Sequence, residues 1–219
     1  MPDIENSGIP GGEEPPKPPA GGEGTFTEKF SHSPIAARVP ERVKGGVFST
    51  GVLVQDGPGE FVVDFLQNLG RPPHIVARVI LSPLTMHGLV SSLRENLGMY
   101  TKNFGPPPPL PKPPQQNRPS IQELYEHFKL PDELLSGMYA NAFLIAHAPA
   151  EFVVDFITGF YPTASVSCRA YLAASQMPRL LDTLNQSLQQ HEQRFGRTVM
   201  PPPPQPPPAQ PDGGQTNFG

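Results

Sequence analysis

Two pairs of opposite charge are the residues best placed for chemistry. Asp64 is followed by Arg78, and the same pattern returns as Asp155 with Arg169. A carboxylate beside a guanidinium can bind an anionic ligand or position a proton acceptor. That would make each pair a ligand-binding or catalytic dyad. The same two groups can instead form a cross-strand ion pair that holds strand register or the contact between two halves of a protein. Asp64 sits in Glu60-Phe61-Val62-Val63-Asp64-Phe65 and Arg78 in Ala77-Arg78-Val79-Ile80. Such apolar neighbours favour the structural role. Glu60 with Asp64 offers a second arrangement, a pair of carboxylates. Four residues along a strand separate them by ~13 Å, which is too far for the geometry of either class of glycosidase.

The remaining reactive side chains form no constellation. The histidines are His32, His74, His87, His127, His147 and His191, and none has a second ligand at metal-binding spacing. The single cysteine, Cys168, falls on an apolar strand face, at the position equivalent to Ala77. It reads as a small buried hydrophobe rather than a nucleophile. Gly57-Pro58-Gly59 joins two strands, whereas a phosphate-binding loop must open a helix. There is no Trp, and the aromatics lie in strands and helix faces rather than between basic residues. A stacking platform for single-stranded nucleic acid is not indicated. No catalytic residue, metal or cofactor is expected.

The charged pairs are carried by an internal duplication. Residues 60–65 and 151–156 are identical, 91 positions apart. At the same offset Leu89, Leu93 and Leu97 return as Leu180, Leu184 and Leu188, and Phe104-Gly105 as Phe195-Gly196. The register extends back to Arg38-Val39-Pro40, matched by Lys129-Leu130-Pro131. Ungapped self-similarity over roughly 70 residues marks two copies of one folding unit.

Each copy reads as three strands and a helix. In the first, strands are expected at 47–55, 60–68 and 74–81, divided by the turns Asp56-Gly57-Pro58-Gly59 and Gly70-Arg71-Pro72. A turn centred on Arg71 sets Asp64 opposite Arg78. Ser82-Pro83 then supplies an N-cap and a first helical residue. Apolar residues from Met86 to Phe104 follow at helical spacing, and Gly105 closes the helix before a proline run. The second copy places strands near 138–146, 151–159 and 165–172 and a helix near 175–195. Pro178 can stand only in that helix's first turn, so its start is late or irregular. Ser120-Ile121-Gln122-Glu123 has capping-box spacing and predicts a further short helix at 120–128, with Leu124, Tyr125 and Phe128 on one side.

One face of each hairpin is wholly apolar: Phe61, Val63, Phe65, Ile75, Ala77, Val79 and Leu81 in the first copy. It should meet the copy's own helix. The other face carries the charged pair among Val62, Leu66, Val76 and Ile80. A sheet apolar on both sides needs cover on both, and the natural cover is the other copy. The expected fold is α+β. Two tandem β-β-β-α repeats, antiparallel sheets with one packing helix each, form a pseudo-dimer with disordered proline-rich arms. The expected domains are a disordered Pro/Gly/Glu-rich tail at 1–24, a first repeat at 25–105, a polyproline linker at 106–119, a second repeat at 120–196 and a disordered tail at 197–219. Within the linker, 106–116 is expected to be disordered too.

The chain has 219 residues, of which 32 are proline, and a net charge of −4. Each repeat alone is close to the lower size for a self-sufficient core. The acidic balance argues against nucleic acid as a partner. The N-terminal Met1-Pro2-Asp3-Ile4-Glu5 lacks the basic-then-apolar pattern of a secretion signal, and no apolar run approaches the ~18 residues of a membrane span. A lone cysteine fits a reducing compartment. The expectation is a soluble cytoplasmic protein. Its proline runs serve as spacers or as docking ligands for an aromatic-lined groove.

Several of these stretches resemble a small prokaryotic domain catalogued as domain of unknown function 3467. The resemblance is carried by Gly46-Val47-Phe48-Ser49, Gly137-Met138-Tyr139-Ala140-Asn141, the paired Glu-Phe-Val-Val-Asp-Phe, Ala77-Arg78-Val79-Ile80-Leu81-Ser82-Pro83 and Leu93-Arg94-Glu95-Asn96-Leu97. It covers about two thirds of the chain and implies two copies in tandem in a bacterial protein. The second copy departs from the pattern, with Ala173-Ala174 in place of Ser-Pro and Gln186-Ser187 in place of Glu-Asn. The resemblance implies a fold and carries no activity. The functional expectation is a non-enzymatic interaction or scaffold module with an unknown protein partner. The alternatives are a small-molecule- or nucleotide-binding enzyme using the Asp/Arg pairs, and a chaperone-like adaptor that offers apolar strands to unfolded chains.

Overall fold

The computed structural model describes residues 37–111, 120–160 and 163–196. The tails expected to be disordered at 1–24 and 197–219 lie outside the described residues, as does the linker from 112 to 119. The described chain runs α1 (Glu41–Lys44), β1 (Val47–Ser49), β2 (Gly51–Asp56), β3 (Phe61–Gln67), β4 (His74–Leu81) and α2 (Pro83–Phe104). The second copy follows with α3 (Ile121–His127), a 3-10 turn (Asp132–Leu134), β5 (Met138–Ala140), β6 (Ala142–His147), β7 (Glu151–Thr158) and β8 (Ser165–Ala173). It closes with a 3-10 turn (Ala174–Gln176) and α4 (Met177–Phe195).

Local sequence accounts for the helix ends. Ser82 accepts a hydrogen bond from the Thr85 backbone and Pro83 opens α2, while Gly105 closes it at φ 84°. The second copy has no Ser-Pro, and its helix enters through a 3-10 turn with no side-chain cap. α3 begins at the expected capping box, with Ser120 and Glu123 satisfying each other's backbone N–H groups.

The expected first strand of each copy is in fact two strands, and they belong to different sheets. One sheet has the order β1-β8-β7-β6 and the other β2-β3-β4-β5. β1 pairs in parallel with β8, and β5 in parallel with β4. Each copy therefore lends its opening strand to the other copy's sheet. The switch falls at Ser49 and Thr50. The Leu66 carbonyl accepts from the Ser49 hydroxyl at 3.1 Å and from the Thr50 backbone N–H at 2.7 Å. In the second copy Asn141 does the same work, its amide bonding both N–H and C=O of Gly159. The hydrogen bonds spent on this corner replace those a continuous strand would have made.

A second difference concerns the helices. The inner faces of the two sheets meet at Phe65 and Phe156, with ring centroids 5.6 Å apart, in one continuous core. With its own sheet already faced, each helix finds apolar cover on the other copy's edge hairpin. From α2, Tyr100 packs on Phe152 and donates to the Pro149 carbonyl at 2.7 Å. From α4, His191 packs on Phe61. Both strand and helix are exchanged, so neither copy has a complete core of its own. A third correction lies in the linker. Residues 107–110, expected to be disordered, border a shallow pocket whose other side is Ser175, Pro178 and Asp182, and the Pro111 carbonyl accepts from Arg179 at 3.2 Å.

Candidate functional site

Asp64 and Arg78 are directly opposite in the β3–β4 register, and Asp155 and Arg169 in β7–β8. Both pairs are bidentate. Arg78 donates from Nε at 2.7 Å and from Nη2 at 2.8 Å to the two oxygens of Asp64. Arg169 donates both bonds to Asp155 at 2.7 Å. These bonds are what raise each guanidinium further above its ordinary value. Just past each pair the ladder carries a bulge, after Phe65 and after Phe156. The two pairs stand on different sheets, and the fold does not bring them together.

Each arginine has a third task. Arg78 Nη1 donates to the Leu135 carbonyl, and Arg169 Nη1 to the Lys44 carbonyl. Those carbonyls belong to the other copy, at the end of the segment that leads into the exchanged strand. Gly137 and Gly46 immediately precede that strand, with φ of 68° and 64°. A Cβ on Gly46 would lie 2.5 Å from the Tyr171 ring, and one on Gly137 would lie 2.9 Å from Ile80. Glycine is needed twice over, for the backbone conformation and for the close approach. The pair orders the arginine, and the arginine fastens the incoming strand.

The two pairs differ in what lies over them. α3 places Tyr125 on the first pair. Its hydroxyl donates to Asp64 Oδ2 and accepts from Gln55 Nε2 at 2.6 Å, and Arg78 lies 5.8 Å from the ring centroid. Asp64 is completely buried. Burial, and then the hydrogen bond to Asp64, push the Tyr125 phenol up to about 12. At the second pair Tyr171, on β8 itself, is the neighbouring phenol that helps hold Arg169 charged. The role of Tyr125 was not visible in the sequence. Its signal was indirect: a capped helix with one apolar side, in a copy already expected to cover the face that carries the first pair.

A further polar cluster joins β2 to α4. Asp56 pairs with Arg194 and lies 3.7 Å from His191 Nδ1. His191 is 2% exposed, between the Phe61 and Phe195 rings. No substrate can reach it. The equivalent positions in the other copy hold His147 and Tyr100, whose rings meet edge-on at 5.8 Å. Cys168 is buried opposite Phe156, and burial raises its thiol to about 12. It is a protonated core residue at neutral pH. Among the described residues no group of three or more His, Cys, Asp or Glu converges. No helix of the described chain is long and apolar enough to cross a membrane.

The family described as Protein of unknown function (DUF3467) matches residues 12–107 and again residues 111–200. The chain belongs to that family, as two copies in tandem. No curated protein and no solved structure matches it.

Proposed function

We propose that this tandem member of the family is a non-enzymatic interaction module and that its Asp/Arg pairs are structural. The observation that carries this reading is the engagement of the charged groups. Both oxygens of Asp64 and three of the nitrogens of Arg78 are bound within the protein, and the same donors of Arg169 are used in the same way. A dyad that turned over a substrate would need an open acceptor or donor facing a cavity. Here the groups hold the exchanged strands.

Exposed apolar surface supports the interaction half of the reading. Tyr139 and Phe160 stack with their rings 2° from parallel, and they are 44% and 59% exposed. The equivalent positions in the other copy, Phe48 and Leu69, are 42% and 72% exposed. Isolated apolar residues on a surface need no explanation, but a stacked aromatic pair whose apolar exposure recurs at equivalent positions suits a contact surface. Exposed apolar residues at both sets of positions suit a scaffold that holds two partners or two sites of one.

The test compares proteins captured from a lysate of the source cells by the full chain and by Tyr139→Ser/Phe160→Ser. Support is a protein retained by the wild type, lost with the variant, and bound by purified wild type in calorimetry while wild type and variant melt at the same temperature. Equal capture by both forms would remove the surface from the account.

A further inference from the structure

The two places where a helix covers the other copy's edge strand are equivalent by the duplication, but they are packed differently. Where α2 lies on β6, the Phe143 ring fills the space over Gly88, with ring carbons 3.5 Å from where a Cβ on that glycine would be. Where α4 lies on β2, the residue at the Phe143 position is Val52, and the residue at the Gly88 position is Arg179. The smaller Val52 leaves a cleft of ≈ 200 Å³. Its apolar lining is Val52, Leu66, Leu172 and Leu180, the three leucines being buried. Its polar lining is Thr50, Asn68, Gln176, Arg179 and Thr183.

We infer that this cleft is a binding site for a small aromatic carboxylate. The ring is argued from the protein itself, since the equivalent space in the other half holds a phenyl group. Size agrees: an apolar cavity of ~150 Å³ accommodates benzene. Drug-sized ligands need larger pockets, typically above ~300 Å³. The charge is argued from Arg179. Arg179 is exposed and no carboxylate lines the cleft. The Pro111 carbonyl takes one of its N–H groups and steadies the guanidinium, whose planar fork has five donors in all. An acid group joined to a ring in the cleft would meet that fork. This site is separate from the Tyr139–Phe160 surface and does not depend on the interaction reading.

The experiment is a titration of the full-length protein with phenylacetate, followed by amide chemical shifts, with phenethylamine as the cationic control. The expected result is saturable shifts around Val52 and Leu180, with a dissociation constant on the order of 1 mM for so small a ligand. Phenethylamine should produce none. Val52→Phe fills the cleft as Phe143 fills its counterpart, and should abolish the response. Arg179→Gln keeps the cleft but removes the charge, and should weaken phenylacetate by about tenfold, the scale of one charge-assisted hydrogen bond. Should Val52→Phe fail to fold, the exposed Arg179→Gln decides alone. No saturable shift in the wild type, unchanged binding in Arg179→Gln, or unchanged binding in a folded Val52→Phe each overturns the inference.

Discussion

Removing one member of the Asp64–Arg78 pair should cost far more than removing both. Asp64 has no exposed surface and the Arg78 side chain is 13% exposed. Truncating either partner strands the other as a charge in a mostly apolar setting, at about 3–5 kcal/mol. The two singles should differ. Asp64→Ala leaves Arg78 at the edge of solvent and still able to donate to the Leu135 carbonyl. Arg78→Ala leaves a fully buried carboxylate with only the Tyr125 hydroxyl as a described partner, so it should be the worse of the two. For a chain of this size about 2–4 °C of melting temperature accompanies each kcal/mol. Each single should therefore melt roughly 6–20 °C below the wild type.

Asp64→Leu/Arg78→Met leaves no unpaired charge and should recover much of that loss. The second pair is less enclosed, with side-chain exposures of 12% for Asp155 and 21% for Arg169, so its singles should be milder. Urea denaturation of the four singles and the double gives the comparison directly. If both first-pair singles unfold at the wild-type midpoint, the structural account fails, and the pair becomes a candidate binding site to test against ligands.

Three further outcomes are expected. Tyr125 titrates at about 12 in the folded protein against 10 when exposed, so its contribution is intact below pH 10 and falls away as pH rises to 12; urea midpoints over that window should drop less in Tyr125→Phe than in the wild type. Gly46→Ala and Gly137→Ala should each cost more than ~1 kcal/mol, while Gly45→Ala, in helical conformation with open space around it, should be near neutral in the same melts. A fragment spanning residues 25–105 should form a homodimer by light scattering, because β1 and α2 lack their places on a single copy; a stable monomer would refute the exchange.

Short-range pattern made the hairpins legible. Alternation along Phe61–Phe65 and a turn near Arg71 were enough to oppose Asp64 and Arg78, because register on a sheet with a buried face is strongly specified. The bulge after Phe65 has no such signature. The exchange was hidden for a different reason. β1 has the same residues and the same preference for a strand whether it pairs within its copy or across to the other. What decides is the corner at Ser49 and Thr50, and those side chains look like ordinary turn residues in the sequence. Tyr125 and Arg179 were missed because their partners, Asp64 and the Pro111 carbonyl, lie 61 and 68 positions away. The proline run suggested an isolated rod, and nothing in its composition showed that Arg179 of α4 would bond to Pro111.

Fusing two copies into one chain changes what the sequence is free to vary. In a symmetric homodimer every contact occurs twice with the same residues. Here the positions that fasten the exchange are the same in both halves: Asp64 and Asp155, Arg78 and Arg169, Gly46 and Gly137. The contacts between helix and edge strand are not. Val52 stands against Phe143, Asp56 against His147, Arg179 against Gly88, and His191 against Tyr100. These differences sit at two equivalent junctions and turn one of them into a cleft. The symmetric residues account for the fold and should govern its stability. The asymmetric ones have no counterpart to satisfy, which is the physical reason to look for ligand selectivity at the α4–β2 junction rather than at the charged pairs.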